Sequence, residues 1–466
     1  MKKKGFQLLV LVLLILALPI SIFLIGEKTT FFNKAYLEIS GKDANLEISL
    51  TGTKPFEPNW QFFSQGGESS SGMLTPAIPS MKKLTPKYIR IDHIYDFYEP
   101  VGRNSEGTMF YYDWEKLDIE IKAITQMGAK PFISLSYMPP AISGGSEVDL
   151  PLSWARWTGV VNKTIEHISG RDGLAISDVY YEVWNEPDLF GSFKLKGPKN
   201  YLELYKWASL GAQSAKNTLP FKFGGPATTA LYKSWVYDLL AYVKNNNLRM
   251  DFYSWHKYTP YMADYQTDLN NLETWKKEIP ELAAKELVIT ESGHTPEVDS
   301  GYDTKFSAIH TLSVLTTNFP LIDKVFTFEV IDGEGVQKNW GRWGLLTNEK
   351  WGIPQEKDRF KALSFLNQMN VPGLALEIKG QGDFVKSMGV ISGQSIKLLI
   401  VNYDPNGKHF ERVPITITGL STGEYNYKYS EFLGDSYQFP ILISDNTWST
   451  HVLFKSNTAA IIEISR

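Results

Sequence analysis

Between about residue 56 and residue 368, short apolar runs alternate with longer amphipathic ones, and this alternation constrains the fold more than any other feature. Eight of the runs are typical of parallel strands that helices cover on both faces. They are WQFFSQ, YIRIDHI, KPFISLSYM, VYYEVWNE, FKFGGPA, DFYSWHKY, ELVITES and KVFTFEVID. Eight strand and helix units over roughly 300 residues predict an α/β fold, a (β/α)8 or TIM barrel. A doubly wound open sheet is the alternative, but no glycine-rich phosphate loop follows any strand.

The segments between these runs have helix-start signals. Asp113 and Ser153 can each cap an amphipathic helix, and the first of these helices should end near Gly128.

The pattern changes after about Pro372, where short β-rich runs are separated by Gly, Asn and Asp turns. The runs SIKLLIVNY, VPITITGL, EYNYKYSEF and AAIIEIS predict an accessory antiparallel β-sandwich. Residues 35–50 have the same character, and we expect them to pair with this C-terminal sheet. The predicted organisation is a signal segment at 1–28, a β segment at 29–54, the barrel at 55–369 and the sandwich at 370–466.

The N-terminus has the features of an export signal. Lys2, Lys3 and Lys4 precede an uncharged apolar stretch from Phe6 to Ile25, about the ~20 residues that span a bilayer. We expect an uncleaved transmembrane anchor, with a cleaved signal peptide as the alternative. The positive-inside rule then predicts that the catalytic domain lies outside the cytoplasm, at the cell surface, or is secreted if the segment is cleaved.

Composition excludes several classes of function. The net charge of -4 gives no indication of nucleic-acid binding. The absence of cysteine excludes disulfides, thiolate metal sites and cysteine nucleophiles. The seven histidines are scattered without a zinc motif, so we expect no metal. We also expect no organic cofactor. Because no glycine-rich phosphate loop follows any strand, we expect no nucleotide either. The segment GLSTG at 419–423 fits a nucleophile-elbow pattern, but it lies between β-rich runs and is expected to be a hairpin turn.

Two glutamates end predicted strands on opposite sides of the barrel. Glu186 ends the fourth run and Glu291 ends the seventh, 105 residues later. Three strand and helix units of about 35 residues separate them, so both should face the same mouth. A pair of carboxylates in one mouth suits glycosidic cleavage, in which one protonates the leaving oxygen and the other meets the anomeric carbon. The alternative is a pair of structural rim carboxylates in salt bridges.

WNEPD at the end of strand four, ITES at the end of strand seven and WHKY after strand six resemble clan A glycoside hydrolases. The chain is most similar to glycoside hydrolase family 39, which contains β-xylosidases and α-L-iduronidases. The resemblance covers the barrel and the trailing sandwich, and it implies a retaining, double-displacement mechanism on an extracellular oligo- or polysaccharide. It departs from the xylosidase pattern after ITE, where SGH follows.

The resemblance also assigns roles. It makes Glu186 the general acid/base and Glu291 the nucleophile, and Asn185 the amide that binds the sugar 2-hydroxyl. Arg90 would keep the nucleophile ionised, and His256 and Tyr258 would line the site, with either as the group that touches the nucleophile. Further candidates for sugar contacts at strand ends or in the loop after strand eight are His93, Tyr137 and Trp340.

Two other functions stay open at this point. The first is a catalytically inactive cell-surface carbohydrate-binding protein on the same barrel. The second is a structural envelope protein whose sandwich assembles with partners. Retention of both glutamates together with Asn185 favours the enzyme over both.

Overall fold

A sheet of parallel strands closes on itself to form the predicted barrel. The structure, a computed structural model, describes residues 41–50, 54–67, 72–106 and 110–466. Seven of the eight strand positions are single strands, and the eighth is split into two short ones. In chain order they are Phe62–Gln65, Tyr88–Ile91, Lys130–Leu135, Val179–Val183, Phe221–Thr228, Phe252–Tyr258, Glu286–Gly293, and the pair Lys324–Val325 and Thr327–Phe328.

The split eighth position is what closes the barrel. Lys324–Val325 pairs with the seventh strand, whereas Thr327–Phe328 pairs with the first, and both pairings are parallel. Every predicted run contains an observed strand, so the barrel prediction is confirmed.

Helices cover the outside of the barrel, and most of them bury one apolar face against the strands. Lys305–Asn318 is instead buried on nearly all sides, because it packs between the barrel and the C-terminal region. In chain order they are Ile78–Met81, Glu115–Gln126, Trp154–Ile168, Tyr201–Ser214, Lys233–Asn245, Met262–Glu278, Pro280–Ala283, Lys305–Asn318 and Asp358–Leu366. Short 3-10 turns lie at Thr75–Ala77, Lys82–Leu84, Ser300–Asp303, Glu349–Trp351 and Asn367–Met369. The helices expected after Asp113 and Ser153 are both present, and a small antiparallel hairpin, Val101–Arg103 with Phe110–Tyr112, lies in the loop before the first of them.

The C-terminal region forms two facing β-sheets around a separate apolar core. The smaller sheet has the strand order Glu377–Lys379, Leu46–Ser49, Glu411–Thr418 and Thr447–Phe454. The larger sheet has the order Leu374–Ala375, Val385–Ser392, Ser395–Asn402, Thr458–Ser465, Gly423–Glu431 and Ser436–Ile443. The sandwich is therefore present. Its pairings are antiparallel, except that Leu46–Ser49 runs parallel to Glu411–Thr418.

Two expectations need separate comment. The GLSTG segment connects Glu411–Thr418 in one sheet with Gly423–Glu431 in the other, so its interpretation as a hairpin turn is wrong. The turn residues there serve a crossover between sheets. The predicted membrane segment at 1–28 lies outside the described residues. In the described part of the chain, no helix combines the length and apolar character that a bilayer span requires.

Candidate active site

The fourth barrel strand ends in a tight backbone turn that carries Trp184, Asn185 and Glu186. Trp184 has a φ of 75° and Glu186 a φ of 45°, and such values persist only where the surroundings hold them. The Glu186 N–H donates to the carbonyl of Ala227 at 3.0 Å, and the Trp184 indole donates to the carbonyl of Phe190 at 2.9 Å. These bonds fix the turn that presents the Glu186 carboxylate to the barrel mouth.

Arg90 of the second strand connects three polar groups inside the barrel. Its guanidinium donates to Glu182 Oε2 at 2.7 Å, to Glu291 Oε1 at 2.9 Å and to Asn185 Oδ1 at 2.7 Å. Arg90 and Glu182 are completely buried. A planar guanidinium can satisfy three acceptors at fixed angles, which a lysine cannot do. Arg90 therefore sets the relative positions of strands two, four and seven at the mouth.

The carboxylates of Glu186 and Glu291 lie beside each other, with His256 between them. One oxygen of each carboxylate and one ring nitrogen of His256 all lie within 4.8 Å of one another. His256 Nδ1 is 2.9 Å from Glu186 Oε1 and 3.5 Å from Glu291 Oε2. The hydroxyl of Tyr258 donates to Glu291 Oε2 at 2.8 Å. The question that the sequence left open thus has a geometric answer, because Tyr258 makes the closer contact with Glu291 and His256 the closer contact with Glu186.

The two ends of this cluster have different electrostatic surroundings. Burial raises the pKa of Glu291 above its usual value, while His256 and Arg90 counteract part of that effect. Burial lowers the pKa of His256, but Glu291 and Glu186 outweigh it, so that this pKa lies above the ordinary value. The ionised form of Glu291 accepts bonds from a guanidinium and a phenol, whereas Glu186 has the imidazole as its partner. The site therefore has one strongly anchored carboxylate and one carboxyl group positioned for proton exchange.

Glu186, His256 and Glu291 also present three potential metal ligands at close range. Their surroundings do not suit a divalent cation, since the Arg90 guanidinium already occupies one side of Glu291. A fixed positive charge at that distance repels a second cation. The donor set fits a shared proton better than a metal ion.

An aromatic wall runs along one side of the mouth. The His93 ring stacks on Phe97 with centroids 4.5 Å apart and meets Tyr137 edge-on at 4.7 Å. The Tyr137 hydroxyl accepts a hydrogen bond from Asn185 Nδ2 at 2.9 Å. The structure thus brings His93 and Tyr137 to the Asn185 side of the site, and their role as sugar contacts stays a prediction.

Trp340 has a different placement. It is half-buried, and the guanidinium of Arg342 lies 5.1 Å from the centre of its ring. Among the described residues, no hydrogen bond or ring contact joins Trp340 to the two carboxylates. The neighbouring Trp343 packs against Phe328, with ring centroids 5.5 Å apart, and the Phe328 ring in turn contacts Tyr258.

Sequence reasoning missed two buried acids at the site. Glu182 pairs with Arg90 from within the fourth strand, and Glu329 lies directly after the eighth strand, where Gln65 donates to it at 3.0 Å. Burial raises the pKa of Glu329 well above its usual value, and the nearby Asp332 adds to the effect. A signal for both existed in the sequence, since each is a charged residue inside or directly after an apolar run that was itself predicted to be a strand.

Residues 79–397 match the sequence profile of glycosyl hydrolases family 39. The match covers more than half of the chain. The chain belongs to glycosyl hydrolases family 39. Among curated family relatives, it is 27% identical over 333 residues to a beta-xylosidase from Caldicellulosiruptor saccharolyticus, covering 65% of this chain and 66% of that protein. It is 23% identical over 307 residues to a beta-xylosidase from Geobacillus stearothermophilus, covering 60% of each. The chain thus matches slightly less than two thirds of the length of these relatives.

Solved structures of family 39 share the fold over almost the whole described chain. A family 39 enzyme from Xanthomonas axonopodis pv. citri superposes with a TM-score of 0.70 at 19% identity, covering 91% of this chain and 97% of that one. A monomeric beta-xylosidase from Caulobacter crescentus CB15 gives 0.71 at 19% identity, covering 91% and 99%. At this identity the likeness establishes a common fold.

Proposed function

We propose that this family 39 protein is a retaining glycoside hydrolase that releases xylose from β-linked xylosides. The observation that carries the proposal is the separation of the two carboxylates, whose nearest paired oxygens lie within 4.8 Å. Retaining enzymes hold their two carboxyl groups about 5 to 5.5 Å apart, whereas inverting enzymes need about 6.5 to 9.5 Å to admit a water. The choice of sugar follows the two curated relatives, both of which are named beta-xylosidases.

In the first half of the reaction, Glu291 attacks the anomeric carbon while Glu186 protonates the departing oxygen. Arg90 and Tyr258 hold the Glu291 carboxylate in one orientation, which reduces the entropic cost of the attack. Asn185 is oriented by Arg90 through its oxygen and by Tyr137 through its nitrogen, which places its amide beside the sugar ring. A covalent glycosyl-enzyme results.

In the second half, Glu186 removes a proton from water, and the resulting hydroxide displaces Glu291 from the anomeric carbon. Two inversions give net retention of configuration. His256 touches Glu186 at 2.9 Å and can stabilise its carboxylate between the two half-reactions. Water can enter because neither carboxylate is sealed from solvent, with 13% and 8% of the Glu186 and Glu291 side chains exposed.

We further propose that the substrate is a glycan outside the cytoplasm and that residues 1–28 anchor the protein in the membrane. The support for both is the sequence alone, namely three lysines followed by the apolar stretch from Phe6 to Ile25. Membrane fractionation of the full chain, compared with a chain lacking residues 2–28, tests the anchor. Recovery of both in the soluble fraction would contradict it.

Trapping tests the catalytic proposal. Incubation with 2-deoxy-2-fluoro-β-xylosyl fluoride should add one glycosyl group, and peptide mapping should find it on Glu291. Glu291→Gln should take no label and lose turnover with every leaving group. Glu186→Gln should keep much of its glycosylation rate with fluoride as leaving group, and it should lose about 10²- to 10⁴-fold with alkyl xylosides, which need protonation.

Other outcomes would distinguish the competing hypotheses. Inverted product configuration, or a label on any residue other than Glu291, would overturn the retaining mechanism. Binding of xylo-oligosaccharides without turnover by the unsubstituted protein would favour a carbohydrate-binding protein instead. The pH profile offers a further check, because the raised pKa of Glu291 places the acid limb of kcat/KM above the ordinary glutamate range of about 4.3.

A further inference from the structure

A large aromatic side chain stands exposed four residues after the candidate acid/base. Phe190 is 41% exposed, although it is held in a rigid turn. Its N–H donates to the Glu186 carbonyl at 2.7 Å, and its carbonyl accepts from the Trp184 indole at 2.9 Å. The backbone on both sides of the Phe190 side chain is thus tied to the turn that carries Glu186.

The Phe190 ring also has a defined position relative to the sugar-contacting wall. Its centroid lies 5.7 Å from that of Tyr137, with the rings inclined at 63°. Tyr137 in turn accepts a hydrogen bond from Asn185. One edge of the Phe190 ring is therefore packed against the site, and much of the rest faces solvent.

The loop that carries Phe190 is also hydrogen-bonded to the segment directly after the fifth strand. Asp188 accepts hydrogen bonds from the N–H and the hydroxyl of Thr229, and the Thr229 hydroxyl lies 3.0 Å from that of Tyr232. Ligand sites are lined mainly by apolar and aromatic side chains, so an exposed ring held rigidly at the mouth of the site is available to contact a ligand. Catalytic chemistry identifies which ligand this is.

Glu186 donates its proton to the oxygen of the leaving group, so the leaving group must lie on the Glu186 side of the mouth. Phe190 is on that side, because its backbone N–H donates a hydrogen bond to the Glu186 carbonyl. The axial C–H faces of a pyranose are apolar and pack well on an aromatic ring, and planar rings lose little entropy on contact.

We propose that Phe190 is a specificity-determining residue, which stacks on the sugar that leaves and so selects glycans with a pyranose on the reducing side of the cleaved bond. The inference rests on the proposed function and adds a substrate class to it, namely xylo-oligosaccharides in preference to xylosides of small alcohols.

The test compares two substrates that share the xylosyl group and differ in the leaving group. The leaving group of xylobiose is xylose, a pyranose, whereas the leaving group of β-D-xylosyl fluoride is the small fluoride ion. In Phe190→Ala, kcat/KM for xylobiose should fall by about three- to tenfold, the worth of one aromatic contact, and mainly through KM. Both kinetic parameters for the fluoride should stay unchanged. Phe190→Tyr should restore xylobiose hydrolysis because it keeps the ring.

Leu189→Ala is the matched control, since Leu189 is the neighbouring apolar residue and is 56% exposed. It should leave both substrates unaffected. A Phe190→Ala variant that loses the same factor on both substrates would show that Phe190 only supports Tyr137 and Asn185, and would overturn the inference. Undiminished xylobiose hydrolysis would also overturn it. If the unsubstituted protein hydrolyses neither substrate, the proposed function fails as well, so the two failures are distinguishable.

Discussion

Along six of the barrel strands, the floor of the barrel and the layer directly above it are only two residues apart, yet they have opposite chemistry. The floor is a cluster of buried apolar side chains whose rings pack against one another. Its members are Phe62, Phe132, Tyr180, Phe252, Val288 and Phe326, with Tyr88 packed against them. Phe132 contacts three of them, Tyr180, Phe252 and Phe326, with ring centroids 5.0 to 5.4 Å apart.

Two positions further along, toward the carboxyl ends, the residues are polar and equally buried. They are Ser64, Arg90, Ser134, Glu182, Ser254 and Thr290. Side chains two apart on a strand share a face, so both sets belong to the same side of the sheet. Several of these polar groups have partners inside the barrel: Arg90 pairs with Glu182, and Ser134 donates to the Trp184 carbonyl.

The difference between the two layers shows that one barrel strand has two roles, one in stability and one in the site. Its first inward residue contributes to a close-packed apolar core, which stabilises the barrel without regard to the reaction. Its next inward residue is polar and supports the catalytic groups at the strand end. Substitutions in the floor should therefore change stability, and substitutions in the upper layer should change chemistry as well.

Arg90→Met should have the largest effect of any substitution in the upper layer. It leaves Glu182 and Glu291 without their cation, and breaking a buried ion pair in this way costs about 3 to 5 kcal/mol. Because a fixed charge beside Glu291, the proposed nucleophile, is lost, kcat/KM should fall at least about a hundredfold. Urea unfolding and steady-state kinetics measure the two effects.

Arg90→Lys is the control in case the Met variant does not fold. It keeps the charge but cannot bond Glu182, Asn185 and Glu291 together, so it should fold and still lose most activity. Full activity in a folded Arg90→Lys protein would show that the three-way contact is dispensable.

Phe132→Ala should have the opposite profile. Removing a fully buried ring costs about 3 to 5 kcal/mol, through lost burial and the cavity that remains. The active-site geometry above it has its own hydrogen bonds, so kcat and KM per folded molecule should be unchanged at low temperature. Phe132→Leu, which fills part of the space, should lose less stability. A fall in kcat as large as in the Arg90 variants would remove the distinction between the two layers.

Much of this architecture could be predicted because it follows from local pattern. Apolar runs such as ELVITES identify buried parallel strands, and the strand ends then locate Glu186 and Glu291 on one rim. The barrel was therefore predictable, whereas the pairing partners of a short inner strand such as Leu46–Ser49 depend on contacts distant in sequence.

The upper layer was harder to predict, because reasoning from strand ends ignored what lies inside the strands. Glu182 stands within VYYEVWNE, and its partner Arg90 lies 92 residues earlier. A charged residue there signals a buried ion pair, but the sequence does not say with which partner. The crossover at GLSTG was missed for a related reason, since turn residues do not reveal which sheet the next strand joins.

The last prediction concerns Glu329, which lies on the catalytic side of the barrel but behaves like a member of the floor. It is completely buried, and burial together with the nearby Asp332 raises its pKa well above the ordinary value, which favours the neutral acid in the fold. The unfolded chain ionises this group near about pH 4.3. From that pH up to its folded-state pKa, the unfolded state binds fewer protons, so stability falls as pH rises.

Glu329→Gln keeps an oxygen that can accept from Gln65 Nε2 and removes the titration. Its free energy of unfolding relative to the unsubstituted protein should therefore improve as the pH rises above about 4.3 toward the raised folded-state pKa, by at most about 1.4 kcal/mol per pH unit. The exposed Glu297→Gln should show no such trend. Parallel stability curves for Glu329→Gln and the unsubstituted protein would mean that Glu329 is ionised in the fold and belongs, like Glu182, to the charged layer.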